Sequence, residues 1–178
     1  MLRLFVALAL PALVKAQLGA LAGGIPGARW VPPENHHLTL RFIGEIESWR
    51  AEDVDTALAA IRAPRFDLAL AGIGTFEKAG RIQSLYVPAE RSEGLSRLQA
   101  KVETALQRIG LEPERRRFAP HVTLARTEKA ETFKLISFVQ THALFRLPPV
   151  PVEHFTLFSS HLGKDSPHYV PEVEYELA

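Results

Sequence analysis

A tetrapeptide of histidine, an apolar residue, threonine and leucine occurs twice in this chain, beginning at His37 and again at His121. Each copy predicts a β-strand, because apolar and polar residues alternate and a strand points successive side chains to opposite faces. The alternation places Thr39 on the face of the first histidine and Thr123 on the face of the second. The repeat therefore predicts two equivalent strands, each presenting an imidazole and a hydroxyl on one surface.

Turn residues and apolar periodicity divide the rest of the chain into further strands and helices. The predicted strands are Arg3–Ala9, His37–Phe42, Phe66–Ile73, Ser84–Val87, His121–Ala125, Val150–Phe158 and Tyr169–Leu177. The predicted helices are one with Pro11 in its first turn, followed by Ser48–Ile61, Ser92–Ile109 and Thr132–His142. We expect Leu13 on the buried side of the first helix, Ser48 as the cap of the second, and Gly74–Arg81 as a hairpin-like connection between paired strands.

In each half, a histidine strand is followed by a helix and two more strands, which indicates a duplicated α+β unit. A pseudo-two-fold axis would bring the two histidine faces to opposite sides of one cleft. We expect residues 1–178 to form a single domain of two pseudo-symmetric lobes, with antiparallel sheets lining a central cleft and helices on the outside.

Composition narrows the possible ligands and functions. The net charge is +1, so no overall basic field is expected and an anionic ligand must be held locally. The chain has no cysteine, which excludes disulfides, thiol catalysis and thiolate metal sites. Neither an HxH nor an HExxH pattern occurs, and we expect neither a metal nor a cofactor.

The apolar run Leu4–Val14 follows a basic residue and resembles the apolar region of a signal peptide, but Pro11 interrupts it and Lys15 follows it directly. It is also too short to span a bilayer. We therefore expect a buried strand and a helix at this end of the chain, with a cytoplasmic location. We expect a monomer without a protein partner or a membrane contact.

Two imidazoles suit a reaction in which one proton is removed and another is supplied, since the pKa of histidine lies near neutrality. Cleavage of a phosphodiester has this requirement, and it also needs hydrogen-bond donors for the phosphoryl oxygens. The two motif threonines are candidates for these donors. Arg41 falls on the face of His37 by alternation, whereas Arg126 falls on the opposite face from His121 unless the strand ends or bulges there.

A single histidine and threonine on one strand is more often a packing feature than a catalytic pair. Two copies in equivalent structural context favour a site, and a duplicated structural strand is the alternative. The run Arg115–Arg117 is most simply solvated surface, although it lies just before the second motif, where it could steer an RNA backbone.

Segments around both motifs extend the pattern over most of the chain, and on these residues the chain resembles the two-histidine (2H) phosphoesterase superfamily, specifically its RNA 2',3'-cyclic phosphodiesterase, or 2'-5' RNA ligase, family. The segments are Arg3-Leu-Phe-Val-Ala, Arg29-Trp-Val-Pro-Pro-Glu-Asn, Arg41-Phe-Ile-Gly-Glu, Phe118-Ala-Pro, Ala125-Arg126, Leu157-Phe-Ser-Ser and Tyr169.

The resemblance implies hydrolysis of a 2',3'-cyclic phosphate on RNA or a nucleotide to a 2'-phosphomonoester, without a metal. It implies that His37 is the proton donor to the departing 3' oxygen and that His121 is the proton acceptor from water. Thr39, Thr123 and Arg126 would bind the phosphate. The spacing of the motifs leaves the order of acid and base open, and ligation to a 5'-hydroxyl would be the reverse chemistry.

Two other functions stay open at this point. The first is a binding module for RNA or nucleotides without turnover. The second is a phosphodiesterase that acts on 2'-5' oligonucleotides or on an ADP-ribose cyclic phosphate. The sequence does not separate these substrates.

Overall fold

Strands and helices follow one another along the chain in the computed structural model, which describes all residues from Met1 to Ala178. The strands are β1 (Leu2–Ala9), β2 (Arg29–Trp30), β3 (His37–Ile46), β4 (Phe66–Leu68), β5 (Gly74–Lys78), β6 (Arg81–Pro88), β7 (His121–Arg126), β8 (Val150–Val152), β9 (His154–His161) and β10 (His168–Glu176). The α-helices are α1 (Ala12–Gly19), α2 (Ala51–Ala59), α3 (Glu93–Arg108) and α4 (Thr132–Thr141), with short 3-10 turns at Pro33–Asn35 and Ser48–Arg50.

The strands form two four-stranded sheets and one small pair. The first sheet has the order β10-β9-β1-β3 and the second the order β2-β7-β6-β5, while β4 pairs with β8. Every pairing is antiparallel. The predicted α+β class with antiparallel sheets is therefore confirmed, and the two histidine strands lie in different sheets.

The order strand, helix, histidine strand, helix, short strand, strand occurs twice. It runs from β1 to β5, with β2 inserted, and again from β6 to β9, with β10 added at the end. The late strands β9 and β10 complete the sheet of β1 and β3, whereas β5 and β6 complete the sheet of β7. Because each sheet takes strands from both halves of the chain, neither half can form its sheet alone.

The apolar faces of both histidine strands enter one core. Leu38, Leu40, Val122 and Leu124 are each at most 3% exposed and belong to a single cluster of 35 buried residues. This cluster draws on both halves of the chain, and the small sheet of β4 and β8 joins them. We propose on this basis that residues 1–178 form a single domain of two pseudo-symmetric lobes.

Helix α3 begins with the predicted cap, whereas α2 and α1 differ from the prediction in one feature each. Ser92 caps α3 by accepting a hydrogen bond from the backbone N–H of Leu95 at 3.2 Å, as expected for a serine before a helix. Ser48 makes no capping bond, because a 3-10 turn separates it from α2. Leu13 is 71% exposed, since the buried row of α1 is formed by Val14 and Leu18.

The predicted pairing of Phe66–Ile73 with Ser84–Val87 is wrong. The partner of β6 is β5, which lies within the segment predicted as a connection. As the edge strand of its sheet, β5 carries Glu77 and Lys78 and lacks an alternating apolar pattern. Only Phe66–Leu68 of the earlier segment forms a strand, and it pairs with β8.

The apolar start of the chain forms a central strand, as predicted. Strand β1 lies between β9 and β3, and Val6 and Ala7 are fully buried within it. None of the helices combines the length and the apolar character that crossing a bilayer requires.

The turn between β5 and β6 generates a stability prediction. Lys78 pairs with Arg81, so Ala79 and Gly80 form a two-residue turn, with φ values of 53° and 73°. An alanine in this left-handed region is strained, whereas asparagine adopts it readily and Asn-Gly is the preferred pair for such turns. We expect Ala79→Asn to raise the free energy of unfolding by about 1 kcal/mol in urea denaturation.

The matched control is Gly80→Ala, which adds a side chain at the second left-handed position and is expected to destabilise the protein. Equal stability of both variants would contradict this view of the turn.

Candidate active site

Both histidine strands contain one extra residue at the leucine of the motif. In β3, the neighbouring strand pairs with Thr39 and then with Arg41, so that Leu40 is a bulge residue. In β7, Leu124 is the bulge residue in the same way. A bulge adds a residue to one strand and shifts the alternation of all side chains beyond it. The two motifs therefore share an irregularity that the sequence pattern did not reveal.

Before the bulge, the side chains lie on the predicted faces. The imidazole Nε2 of His37 and the hydroxyl of Thr39 are 3.0 Å apart, so both project from the same side of β3. In β7, His121 and Thr123 are half-buried while Val122 between them is fully buried. Each strand thus presents one imidazole and one hydroxyl to the same side.

Beyond the bulge, Arg126 returns to the face of His121. It is exposed, and its charge is among the causes that lower the pKa of His121, after burial. The sequence pattern allowed Arg126 to reach the face of His121 only if the strand ended or bulged before it, and the bulge at Leu124 meets this condition. The corresponding position in β3 is held by Phe42, which is 53% exposed.

The expected position of Arg41 beside His37 is wrong, because the bulge turns its side chain towards the core. Arg41 is only 7% exposed, and its Nε donates to the carboxylate of Glu103 on α3 at 2.5 Å. Its two terminal nitrogens donate to the backbone carbonyls of Phe42 and Glu112. Its three nitrogens are all bound to protein groups and its side chain is buried, so Arg41 does not lie beside His37 as the alternation predicted.

The two imidazoles are held by the same local hydrogen bond. Nδ1 of His37 lies 2.7 Å from the carbonyl oxygen of Asn35, and Nδ1 of His121 lies 2.7 Å from that of Ala119. Since a carbonyl only accepts, Nδ1 carries the proton in both neutral rings and Nε2 is the basic nitrogen, which in His37 lies 3.0 Å from the Thr39 hydroxyl. Both histidines therefore leave the same nitrogen, Nε2, to accept or deliver a proton.

Asn35 also ties the first histidine to a distant part of the chain. Its side-chain amide donates to the carbonyl of Pro167 at 2.9 Å, in the connection between β9 and β10. Asn35 is 8% exposed, so this bond is shielded from water. The carbonyl that orients His37 is thus fixed by a contact over 132 residues of sequence.

Aromatic rings surround His37. Its ring centroid lies 4.9 Å from that of Phe5, 5.2 Å from that of Tyr169 in an edge-on contact, and 6.3 Å from that of Phe158. These rings come from β1, β10 and β9, the other three strands of the sheet. All three lie in segments that carry the family resemblance, but none of them was assigned to the site from the sequence.

His121 has a smaller aromatic environment, formed by Phe76 at 4.8 Å and Tyr86 at 5.1 Å between ring centroids. Gly74 makes this possible, since a Cβ there would lie 2.3 Å from the Tyr86 ring. Phe76 was not recognised in the sequence, because it belongs to the edge strand that was predicted as a connection. The position of Phe76 beside His121 follows only from the pairing of β5 with β6.

This environment lowers the pKa of both histidines. Burial lowers the pKa of His37 to about 4, and Lys15, together with His36 and His121 in their protonated forms, adds to the effect. Burial also lowers the pKa of His121, with a smaller contribution from Arg126. Both rings are consequently neutral at pH 7 in the free protein, because removing a charged imidazole from water is unfavourable.

The two histidine strands approach each other although they belong to different sheets. Strand β3 contacts β7, and the charge of His121 acts on His37. Burial raises the pKa of the Tyr169 hydroxyl in the first sheet, and the charges of Arg126 in the second sheet and of Arg3 offset part of this rise. The facing strands thus bring two imidazoles and a guanidinium within electrostatic range of one another, and each imidazole has a threonine on the same face of its own strand.

His36 and the depression that contains His142 are distinct from the two motif histidines. His36 is 3% exposed and precedes β3, and burial lowers its pKa. A depression of about 500 Å³ between the loop after α1 and helix α4 includes Gly24, Phe133 and His142 but neither motif. No group of three or more histidine, aspartate or glutamate side chains has a geometry that could hold a metal ion.

The chain matches the model of the LigT like phosphoesterase family twice, over residues 8–86 and 85–169. Each match contains one histidine motif, in agreement with the duplicated order of strands. The chain is 34% identical over 157 residues to an RNA 2',3'-cyclic phosphodiesterase from Aeropyrum pernix, covering 87% of this chain and 89% of that protein. It is 32% identical to one from Thermus thermophilus, covering 99% and 90% of the two chains.

Solved structures have the same fold. A crystal structure of E. coli LigT complexed with 3'-AMP matches with a TM-score of 0.80 and 26% identity, covering 99% of this chain and 98% of that one. A crystal structure of a Thermus thermophilus protein matches with a TM-score of 0.82 and 26% identity, covering 98% and 97%. The two motifs, the fold and the double family match agree, and the chain belongs to the LigT like phosphoesterase family.

Proposed function

We propose that this protein hydrolyses the 2',3'-cyclic phosphate of RNA ends or nucleotides to a 2'-phosphomonoester. The observation that carries the proposal is the pair of equivalently oriented imidazoles, His37 and His121, on facing strands with a threonine beside each. Support comes from the relatives in the same family, which are named RNA 2',3'-cyclic phosphodiesterases.

The geometry suits displacement at phosphorus, in which the attacking and leaving oxygens lie roughly in line on opposite sides of the phosphoryl group. One imidazole takes a proton from water, and the new bond forms between the water oxygen and phosphorus. The bond from phosphorus to the 3' oxygen breaks, and the second imidazole protonates that oxygen. Because each ring offers Nε2 to the cleft, the two rings can act from opposite sides.

Thr39, Thr123 and Arg126 are proposed to bind the non-bridging phosphoryl oxygens. A hydroxyl donates one hydrogen bond, and a guanidinium adds a positive charge where negative charge develops. In the free protein, the Thr39 hydroxyl is within bonding distance of His37 Nε2 and donates to it when the ring is neutral. A bound phosphate would offer this hydroxyl an alternative acceptor.

The acid and base roles are proposed as in the family that the motifs resemble, with His37 as the proton donor and His121 as the acceptor. His37 must then gain a proton when substrate binds, since burial keeps its pKa at about 4 in the free protein. The negative charge of the bound phosphate favours this protonation, because an opposite charge in a poorly solvated site stabilises the imidazolium. Substrate binding and protonation of His37 are therefore coupled.

Removing either imidazole tests the proposed catalysis. In excess EDTA, we expect wild-type protein to hydrolyse a 2',3'-cyclic nucleotide, and His37→Ala and His121→Ala each to lower kcat by roughly 10²-fold or more. His142→Ala is the matched control, because His142 lies in the depression beside α4. Thermal unfolding of each variant identifies any loss of fold.

Wild-type turnover that disappears with EDTA, or turnover that survives in either motif variant, would contradict the two-histidine reaction. Binding of a cyclic nucleotide without any turnover would favour the binding-module alternative.

The lowered pKa values predict how the rate depends on pH. The active form has one neutral and one protonated imidazole, so its population is largest between the two pKa values. Since burial lowers both values in the free protein, kcat/KM is expected to be maximal below pH 6.5 and to fall as the pH rises. The bound phosphate raises both pKa values, so the maximum of kcat lies at higher pH. A kcat/KM maximum above pH 7 would contradict this.

Variants of the phosphate-binding residues test their separate contributions. Thr123→Val is expected to lower kcat/KM by roughly tenfold or more because a hydrogen-bond donor is lost, and Thr123→Ser should retain most of the activity. Arg126→Gln should raise KM and lower kcat, with partial recovery in Arg126→Lys because a charge returns without the planar guanidinium. Steady-state kinetics on a cyclic nucleotide measure both series, and unchanged kinetics in Arg126→Gln would remove it from the site.

A further inference from the structure

The segment 112–120, which we call the arginine loop, contains three consecutive arginines and leads directly into β7. It contains neither helix nor strand, and all three arginines are exposed. Arg116 pairs with Glu114 at 3.3 Å. The side chains of Arg115 and Arg117 make no hydrogen bond or ion pair with the protein. Two guanidinium groups in this loop are therefore free to bind an external anion.

The start of the arginine loop is held by an ion pair between the buried Arg41 and the partly buried Glu103. Arg41 of β3 donates to the carbonyl of Glu112 and to the carboxylate of Glu103. The second oxygen of that carboxylate accepts the backbone N–H of Glu114 at 2.9 Å. Burying an ion pair costs desolvation, which well-placed hydrogen bonds offset. Here those hydrogen bonds go to the backbone of the loop.

The end of the loop is held against the site itself. Pro120 accepts a backbone hydrogen bond from Ala89 at 3.0 Å, and the carbonyl of Ala119 orients His121. Arg117 precedes His121 by four residues, so their Cα atoms are at most roughly 14 Å apart. The free guanidinium groups are thus attached to a fixed segment close to the second catalytic histidine.

We propose that Arg115 and Arg117 bind the phosphodiester backbone of RNA on the 5' side of the cyclic phosphate, and that Arg41 is a positioning residue that holds the loop for this contact. The inference rests on the proposed function, because it takes the cyclic end to lie between the histidines. The chain has a net charge of only +1, so a local pair of arginines is needed to distinguish a polyanion from a single nucleotide.

Binding of backbone phosphates has a characteristic dependence on salt. Each phosphate contact on a single strand releases condensed counterions and contributes roughly 0.7 to the slope of log affinity against log salt concentration. A cyclic mononucleotide has no further phosphate and lacks this contribution. Removing both arginines should therefore reduce the slope by roughly 1.4 for an oligonucleotide.

The test compares a 2',3'-cyclic mononucleotide with a short oligoribonucleotide that ends in a 2',3'-cyclic phosphate. In Arg115→Gln/Arg117→Gln, we expect the ratio of the oligonucleotide KM to the mononucleotide KM to rise roughly tenfold at low salt, and the salt slope to fall. Arg62→Gln/Arg97→Gln is the matched control, since it removes two exposed arginines from other parts of the surface. An unchanged ratio, or equal losses on both substrates, would overturn the proposal.

Direct binding separates this inference from the proposed function. Fluorescence anisotropy with a labelled oligoribonucleotide that carries a 2'-phosphate end requires no turnover. Weaker, less salt-dependent binding by the double variant would support the arginine loop even if no hydrolysis occurs. Unchanged binding would overturn the proposal even if wild-type protein hydrolyses the cyclic mononucleotide.

The role of Arg41 is tested by replacing the whole ion pair, so that no unpaired charge is left in the interior. Arg41→Met/Glu103→Met is expected to fold, as apolar replacements of buried pairs commonly do. This double variant should raise the ratio of the oligonucleotide KM to the mononucleotide KM. Adding the substitutions at Arg115 and Arg117 should raise the ratio no further, because both pairs of substitutions remove the same contact between the arginine loop and the RNA backbone. Additive effects, or an equal loss on both substrates, would show that Arg41 does not act through the loop.

Discussion

The bulge at the leucine of each motif decides which side chains reach the cleft. Up to the bulge, alternation presents a histidine and a threonine to the cleft and apolar residues to the core. At the bulge, two successive residues enter the core, and the next residue returns to the histidine face. In β3 this residue is Phe42, and in β7 it is Arg126. The same backbone irregularity thus gives an apolar rim on one side of the cleft and a positive charge on the other.

The equivalent orientation of the two imidazoles comes from local backbone geometry, and their differences come from distant contacts. A carbonyl two residues before each histidine fixes the ring in the same way. His37 is more enclosed, because Phe5, Phe158 and Tyr169 contact it from three strands of its sheet. The proposed assignment of different roles to two nearly identical motifs therefore rests on these different surroundings.

The features that the sequence predicted correctly are those that follow from neighbouring residues. The shared face of His37 and Thr39 follows from alternation, and the capped helix after Ser92 follows from its side chain and helical period. Non-local pairing determines the rest. Simple alternation predicted Arg41 in the site, and the bulge that moves it away is visible only in the register with β1. The edge strand β5 was missed because it has no buried face of its own.

The most direct test of the proposed reaction is the position of the phosphate in the product. Hydrolysis of a 2',3'-cyclic nucleotide in ¹⁸O-labelled water, with excess EDTA, can be followed by chromatography and mass spectrometry. Attack by water with departure of the 3' oxygen predicts a 2'-phosphomonoester with one ¹⁸O atom on its phosphoryl group. A 3'-phosphomonoester, or no product under these conditions, would contradict the assignment of His37 as donor to the 3' oxygen and His121 as acceptor from water.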